Sequence, residues 1–232
     1  MGKTFVYICR PGHNEELRYS IRSVSFFYPN STIWIVGGKP DWYNGNFIEV
    51  HQNSNSFKNV RRSLAAIIDV DEIPDNVIVM NDDFFFLKRL NKIPNYISGT
   101  LKDKIFYYEE NEASPSYVSR LIDLRTHCKR FNKEPLDFEL HVPISINKKL
   151  LSRVVQENVM WRSNYGNRFI NEDDTKKISD VKVYPKSQYN FKNYNYLKPK
   201  YPFVSTQDDT FEEVKNNLLE KMFPNPSKYE II

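Results

Sequence analysis

The ten residues from Val77 to Phe86 read V-I-V-M-N-D-D-F-F-F, and they constrain the chain more than any other stretch. The apolar run Val77–Met80 suits a strand buried on both faces of a sheet. It stops abruptly at Asn81-Asp82-Asp83. Two adjacent carboxylates at the carboxyl edge of a buried strand are costly to hold as anions without a cation beside them. Open α/β sheets also bind their ligands just outside the carboxyl ends of the strands. A hard divalent cation such as Mg²⁺ or Mn²⁺ would relieve the repulsion, taking one or two carboxylates and leaving positions for substrate phosphates. A polar turn closing a core strand accounts for N-D-D equally well from these residues alone. Phe84-Phe85-Phe86 return the chain to the core at once, which would hold the acids in a fixed place.

The pattern upstream is that of an α/β protein. Thr4–Cys9 reads as a strand, Asn14 as the cap of a helix over 15–27, and Thr32–Val36 as a second strand before Gly37-Gly38-Lys39-Pro40. Phe47–Val50 reads as a third strand and Ser56–Ile68 as a helix with Val60, Leu64 and Ile67 on one face. β-α repeats feeding a central strand predict a mostly parallel sheet flanked by helices. After residue 86 the expected organisation is looser: helical runs at 116–130 and 147–155, an extended segment over 182–202, and an amphipathic helix over 210–222. The 232 residues are read as one domain, 1–90 forming a nucleotide-binding half and 91–232 an irregular acceptor-side half.

The formal charge of +4 is compatible with nucleotides or DNA without requiring either. Cys9 and Cys128 make no disulfide framework and read as free thiols. No apolar run has transmembrane length or the form of a signal peptide, so the chain is expected to be soluble and cytoplasmic, without membrane insertion. There is no G-x-x-x-x-G-K-[ST], G-x-S-x-G or C-x-x-C, which argues against a P-loop ATPase, an α/β hydrolase and a structural zinc site.

Several residues outside the acid pair bear on a ligand. Arg10 and Lys39, beyond the first and second strands, fall at the same sheet edge as Asp82 and Asp83 and suit a diphosphate; Lys58 opens the second helix and suits a nucleotide. Each reads as a solvated surface charge when taken singly. His141 in E-L-H-V-P is either a further metal ligand or a structural histidine, with Glu139 on the same face if the segment is extended. The group W-R-S-N-Y-G-N at 161–167 would pack on a sugar or a base, or form a surface loop.

The runs N-E-E-L-R-Y-S-I-R-S-V (14–24), T-I-W-I-V-G-G-K-P-D-W (32–42) and V-I-V-M-N-D-D-F-F (77–85) resemble glycosyltransferases of the GT-A type. In particular they are similar to small bacteriophage and bacterial proteins related to the Stealth sugar-phosphotransferases. H-V-P (141–143), W-R-S-N-Y-G-N (161–167) and F-V-S-T-Q-D-D-T-F (203–211) look like later blocks of the same group. The resemblance implies a nucleotide-diphosphate sugar donor lying across the strand ends, with N-D-D standing where GT-A enzymes carry D-x-D. It makes Asp83 the firmer metal ligand, gives Asp82 a ligand or donor-binding role, and makes His141 a later metal or acceptor-side residue. Arg10, Lys39 and Lys58 would hold the donor.

The resulting expectation is a metal-dependent glycosyltransferase with Glu139 or Asp208 as general base. Sugar-phosphate transfer on the same fold, and a binding module without catalysis, stand as alternatives. The alternation of lysines and tyrosines over 182–201 suits a nucleic-acid backbone and bases or sugar faces. Together with the resemblance to bacteriophage proteins and the lack of a membrane anchor, it favours a hydroxymethylated base in DNA as acceptor, flipped from its duplex, over an envelope glycan.

Overall fold

The structure, a computed structural model, describes residues 2–111, 114–184 and 202–231. Strand β1 (Thr4–Cys9) alternates its side chains, so Phe5 and Tyr7 enter one core and Val6 the other. It is flanked by β2 (Thr32–Gly37) and β4 (Asn76–Met80), both parallel to it. Beyond β2 lies β3 (Asn46–Glu49), also parallel, and β7 (Ile144–Asn147) closes the far edge antiparallel to β4. The result is a five-stranded sheet of order β3-β2-β1-β4-β7. This is the expected mixed α/β, mostly parallel architecture.

Helix α1 (Glu15–Phe27) covers one face, sending Leu17, Ile21 and Val24 onto Phe5, Tyr7, Ile33 and Ile35. Helix α2 (Ser56–Ala66) covers the other, where Leu64 and the capping Ile67 meet Val6, Val77 and Val79. The repeat pattern is less regular than expected, because residues 38–45 between β2 and β3 carry no helix. Glycine governs that link. Gly37 has φ +117°, and a Cβ there would stand 2.2 Å from the Cys9 carbonyl oxygen.

Two further small sheets follow. Strand β5 (Phe84–Phe86) pairs antiparallel with β9 (Phe203–Ser205), and β6 (Asn95–Ile97) pairs in parallel with β8 (Thr175–Lys177). Helices α3 (Leu101–Glu110) and α4 (Pro115–Cys128) pack on one another through Leu101, Leu121 and Leu124. The helix expected over 147–155 is mostly something else. Ile144 and Ile146 alternate into the core as β7, and Asn147 then caps the one-turn helix α5 (Lys148–Leu151). The C-terminal helical stretch occupies 211–222 as expected and includes a π-helical turn at Lys215–Leu219. Both cysteines are buried and unpaired, and no helix among the described residues is long and apolar enough to cross a membrane.

Helix α6 (Trp161–Phe169) corrects the reading of 161–167 as a ligand-facing group or a surface loop. All seven of those residues are buried, and the side chains of Arg162, Ser163 and Asn167 are spent on the backbone of 136–142. Arg162 donates to the carbonyls of Phe138 (3.0 Å) and Val142 (2.5 Å). Ser163 Oγ accepts from the Phe138 N–H, and the Asn167 side chain both donates to and accepts from Leu136. Gly166 lets the Phe138 ring lie against the helix: a Cβ there would fall 2.4 Å from the ring. Gly166→Ala is therefore expected to destabilise the fold by about 1–3 kcal/mol through overpacking. A urea midpoint equal to that of the parent chain would show that the ring has room to yield.

Candidate active site

The carboxyl ends of β1, β2 and β4 share one edge of the sheet, and Asp82 and Asp83 stand there in the turn from β4 to β5. Burial fixes that turn from both sides, since Met80, Phe84, Phe85 and Phe86 are all in the core. Helix α1 docks over it through small polar side chains. Ser20 Oγ donates to the Phe84 carbonyl, and Ser23 Oγ accepts from the Phe86 N–H at 3.1 Å.

The two carboxylates go to different partners. Asp82 Oδ2 accepts from Asn14 Nδ2 at 2.7 Å, while Asn14 Oδ1 accepts the Leu17 N–H at 2.8 Å and caps α1. One amide thus joins the helix start to the acid. Asp83 Oδ2 accepts from Ser205 Oγ at 3.0 Å and from the Lys182 ammonium at 3.3 Å. Burial first, and the Asp83 charge second, push the Asp82 carboxyl above its usual range, against the Asn14 hydrogen bond.

A third carboxylate belongs to this group. Glu16, in the first turn of α1, accepts from Thr206 Oγ1 at 2.8 Å. Burial raises it to about 7, Thr206 opposes the rise, and the charges of Asp82, Asp83 and Asp208 add to it. In the sequence Glu15-Glu16 carries only the signal of acids in a helix's first turn, which is why Glu16 escapes a search for ligand-facing residues.

The other sequence candidates are distributed unevenly. Arg10 is exposed immediately after β1, where its charge favours the ionised form of Asp82. Lys39 is exposed over the Phe47 ring, 5.7 Å from its centroid, on the β3 side. Lys58 is exposed in the first turn of α2, and neither lysine forms an ion pair among the described residues. Asp208 is exposed near Glu16.

Glu139 has a committed carboxylate, accepting the Ser163 N–H at 2.8 Å in the first turn of α6. Burial raises this acid, and Arg162 opposes the rise. Burial in turn draws the Arg162 guanidinium down to about 10, with Glu139 and Asp137 resisting.

His141 packs edge-on against Phe84, and its Nδ1 lies 3.6 Å from Asp180 Oδ2. Its nearest acid is thus Asp180. Among the described residues no three His, Cys, Asp or Glu side chains gather closely enough to hold a metal ion. Asp82 and Asp83 alone form an incomplete set of the kind that Mg²⁺ or Mn²⁺ completes with phosphate and water oxygens. Lys182 now supplies the positive charge beside Asp83.

Lys182 was expected within a basic and aromatic track. Residues 185–201, which carry most of that track, lie outside the described residues. In the described part, Val181 and Val183 are buried, so Asp180, Lys182 and Tyr184 share the opposite face of an extended segment. Beside it a cleft of about 620 Å³ opens between this segment and α3. A larger hollow of about 780 Å³ lies at the other edge of the sheet, where Thr4, Asn76 and Val77 begin their strands, away from the acids.

This chain shares its fold with the galactosyltransferase LgtC, solved in complex with donor and acceptor sugar analogues. The two superpose with a TM-score of 0.51 over 97% of this chain and 98% of that one, at 12% identity. The fold is therefore of the GT-A type. The glycosyltransferase GlyE of Streptococcus pneumoniae overlays at a TM-score of 0.44 and 14% identity, covering 100% of this chain and 67% of its own, a level that distinguishes little. No protein-family model matches the sequence, and no curated protein matches it.

Glu16 gives the site a pH signature. Between its ordinary value of 4.5 and about 7 the unfolded chain releases a proton that the folded chain keeps. Stability must then fall as pH rises through that window. Glu16→Gln removes this contribution, so its stability relative to the parent chain should increase from pH 4.5 to 7.5. Parallel pH profiles of the two chains in urea titrations would remove Glu16 as a buried acid.

Proposed function

We propose that the chain is a glycosyltransferase that moves a sugar from a nucleotide-diphosphate sugar to a hydroxyl acceptor, assisted by a divalent cation. The observation that carries this reading is the Asp82–Asp83 pair, fixed at the carboxyl edge of β4 in a GT-A fold. Asp82 and Asp83 would hold Mg²⁺ or Mn²⁺ together with the donor diphosphate, and Arg10 would face the phosphates. Lys39 and Lys58 would serve the outer part of the nucleotide. When bound, the cation supplies Lewis-acid charge to the leaving diphosphate.

Of the acids assigned to the acceptor side, Glu139 is engaged in capping α6 and is given a positioning role. Asp208, exposed beside Glu16, takes the proton from the acceptor hydroxyl. His141 belongs to the acceptor side, with its Nδ1 facing Asp180.

Kinship with the Stealth group and a bacteriophage setting rest on the motif blocks of the sequence. Sugar-phosphate transfer is the second reading that those blocks favour, and the released nucleotide separates the two: a diphosphate for sugar transfer, a monophosphate for sugar-phosphate transfer. The DNA acceptor rests on the lysines and tyrosines of 182–201. A gel shift on duplexes with and without hydroxymethylated cytosine tests it. DNA recognition predicts binding that weakens steeply from low to moderate salt, and binding indifferent to salt counts against it.

The central test concerns the acid pair. Asp83→Asn keeps the shape of the side chain and is expected to lower transfer and donor hydrolysis by about 100-fold or more, with a melting temperature close to that of the parent. EDTA should reproduce the loss, and Mn²⁺ should restore activity to the parent chain alone. Nucleotide-sugar affinity that ignores both EDTA and Asp83→Asn would end the metal reading.

A further inference from the structure

The cleft between α3 and the segment that carries Lys182 has a composition that selects among acceptors. Helix α3 brings Tyr107 and Tyr108 to its wall, and Tyr184 brings a third ring from the other side. Tyr107 is 61% exposed and Tyr184 40% exposed, so both show a ring face to solvent. Tyr108 is set by edge contact with Tyr117 at 5.2 Å. Rings held in this way give flat apolar faces at little entropic cost, each with a hydroxyl at its rim.

The charge on the wall is the second observation. Lys104 is the one ammonium among the described lining residues, and it is occupied: it donates to Asp137 at 2.9 Å and to the Glu139 carbonyl at 2.6 Å. Asp103 and Asp180 contribute two carboxylates. Such a wall repels phosphate and attracts hydroxyl donors, since carboxylates only accept hydrogen bonds. The third observation is continuity. Asp180 and Tyr184 lie on the same face of their segment as Lys182, whose ammonium reaches Asp83.

We propose that this cleft is the acceptor subsite and that it takes a neutral sugar, stacked on Tyr107 and Tyr184, with its hydroxyls on Asp180 and Asn111. The assignment rests on the glycosyltransferase reading and names its acceptor as a glycan. A DNA duplex is disfavoured because, among the described lining residues, its phosphates would find acids and an already paired lysine.

The test is saturation-transfer NMR and titration calorimetry with the methyl glycosides of glucose, galactose and N-acetylglucosamine, and with a duplex containing hydroxymethylated cytosine. At least one glycoside should bind. Its affinity should fall about tenfold or more in Tyr107→Ala and in Tyr184→Ala, and be kept in Tyr184→Phe, at an unchanged melting temperature. Three results would overturn the proposal: binding of none of the glycosides, glycoside binding insensitive to both alanine variants, or binding of the duplex alone with loss in the same variants. Nucleotide diphosphate with Mn²⁺, titrated into the parent chain, reads the donor side separately. Donor binding without glycoside binding overturns this inference and leaves the transferase reading standing; glycoside binding without donor binding overturns the transferase reading and, with it, the acceptor role of the cleft, leaving a sugar-binding site.

Discussion

Two neighbouring carboxylates at the end of a strand buried on both faces repel one another, and much of the chain is arranged around holding them there. The turn between β4 and β5 gives Asp82 and Asp83 different partners. Asp82 meets the amide of Asn14, and Asp83 meets a hydroxyl and an ammonium from the C-terminal third of the chain. Each partner has another task. Asn14 caps α1, Ser205 ends a strand, and Lys182 is bridged to Ser205. Loss of the Asn14 side chain would therefore disturb a helix cap as well as the Asp82 contact. Burial still dominates, because Asp82 and Glu16 remain harder to ionise than free carboxylic acids.

The second half of the chain achieves order by a different chemistry from the first. Around β1 the core is made of alternating apolar side chains, and hydrogen bonding is left to the ladder. Around α6 it is made of buried polar groups matched to the backbone of 136–142. A backbone group buried without a partner costs about 1–3 kcal/mol, so a segment without regular structure enters a core only if its N–H and C=O groups are met. Arg162, Ser163 and Asn167 meet those of Leu136, Phe138 and Val142. That is how Glu139 and His141 come to lie on an irregular segment with fixed positions.

This difference explains what could be read in the sequence. The first half announces itself through period-two and period-3.6 patterns, and β1, α1, β2 and β4 lie close to where those patterns put them. The acid pair was legible for the same reason, since N-D-D interrupts an apolar run at a strand's end. Helix α6 was not, because W-R-S-N-Y-G-N has no apolar stripe: its inward face is polar, and the groups that satisfy it lie more than twenty residues away. Glu16 was hidden by a common local explanation, and its hydrogen-bond partner Thr206 lies 190 residues along the chain. Lys182 was legible as a charge but not as a partner of Asp83, because the bridge to Ser205 that delivers it is a long-range pairing.

That last pairing also explains how the two sides of the site are tied together. Val181 and Val183 anchor the segment in separate cores, one beneath the main sheet and one beneath β5 and β9. With both anchors in place, its other face has no freedom to choose its neighbours. Asp180 is set against His141, Lys182 against Asp83, and Tyr184 on the rim of the cleft. A displacement of this segment would move the counter-charge of the acid pair and a wall of the cleft at once. The electrostatics of the acid pair and the shape of the cleft are thus carried by one short run of alternating residues, with two buried valines holding it in register.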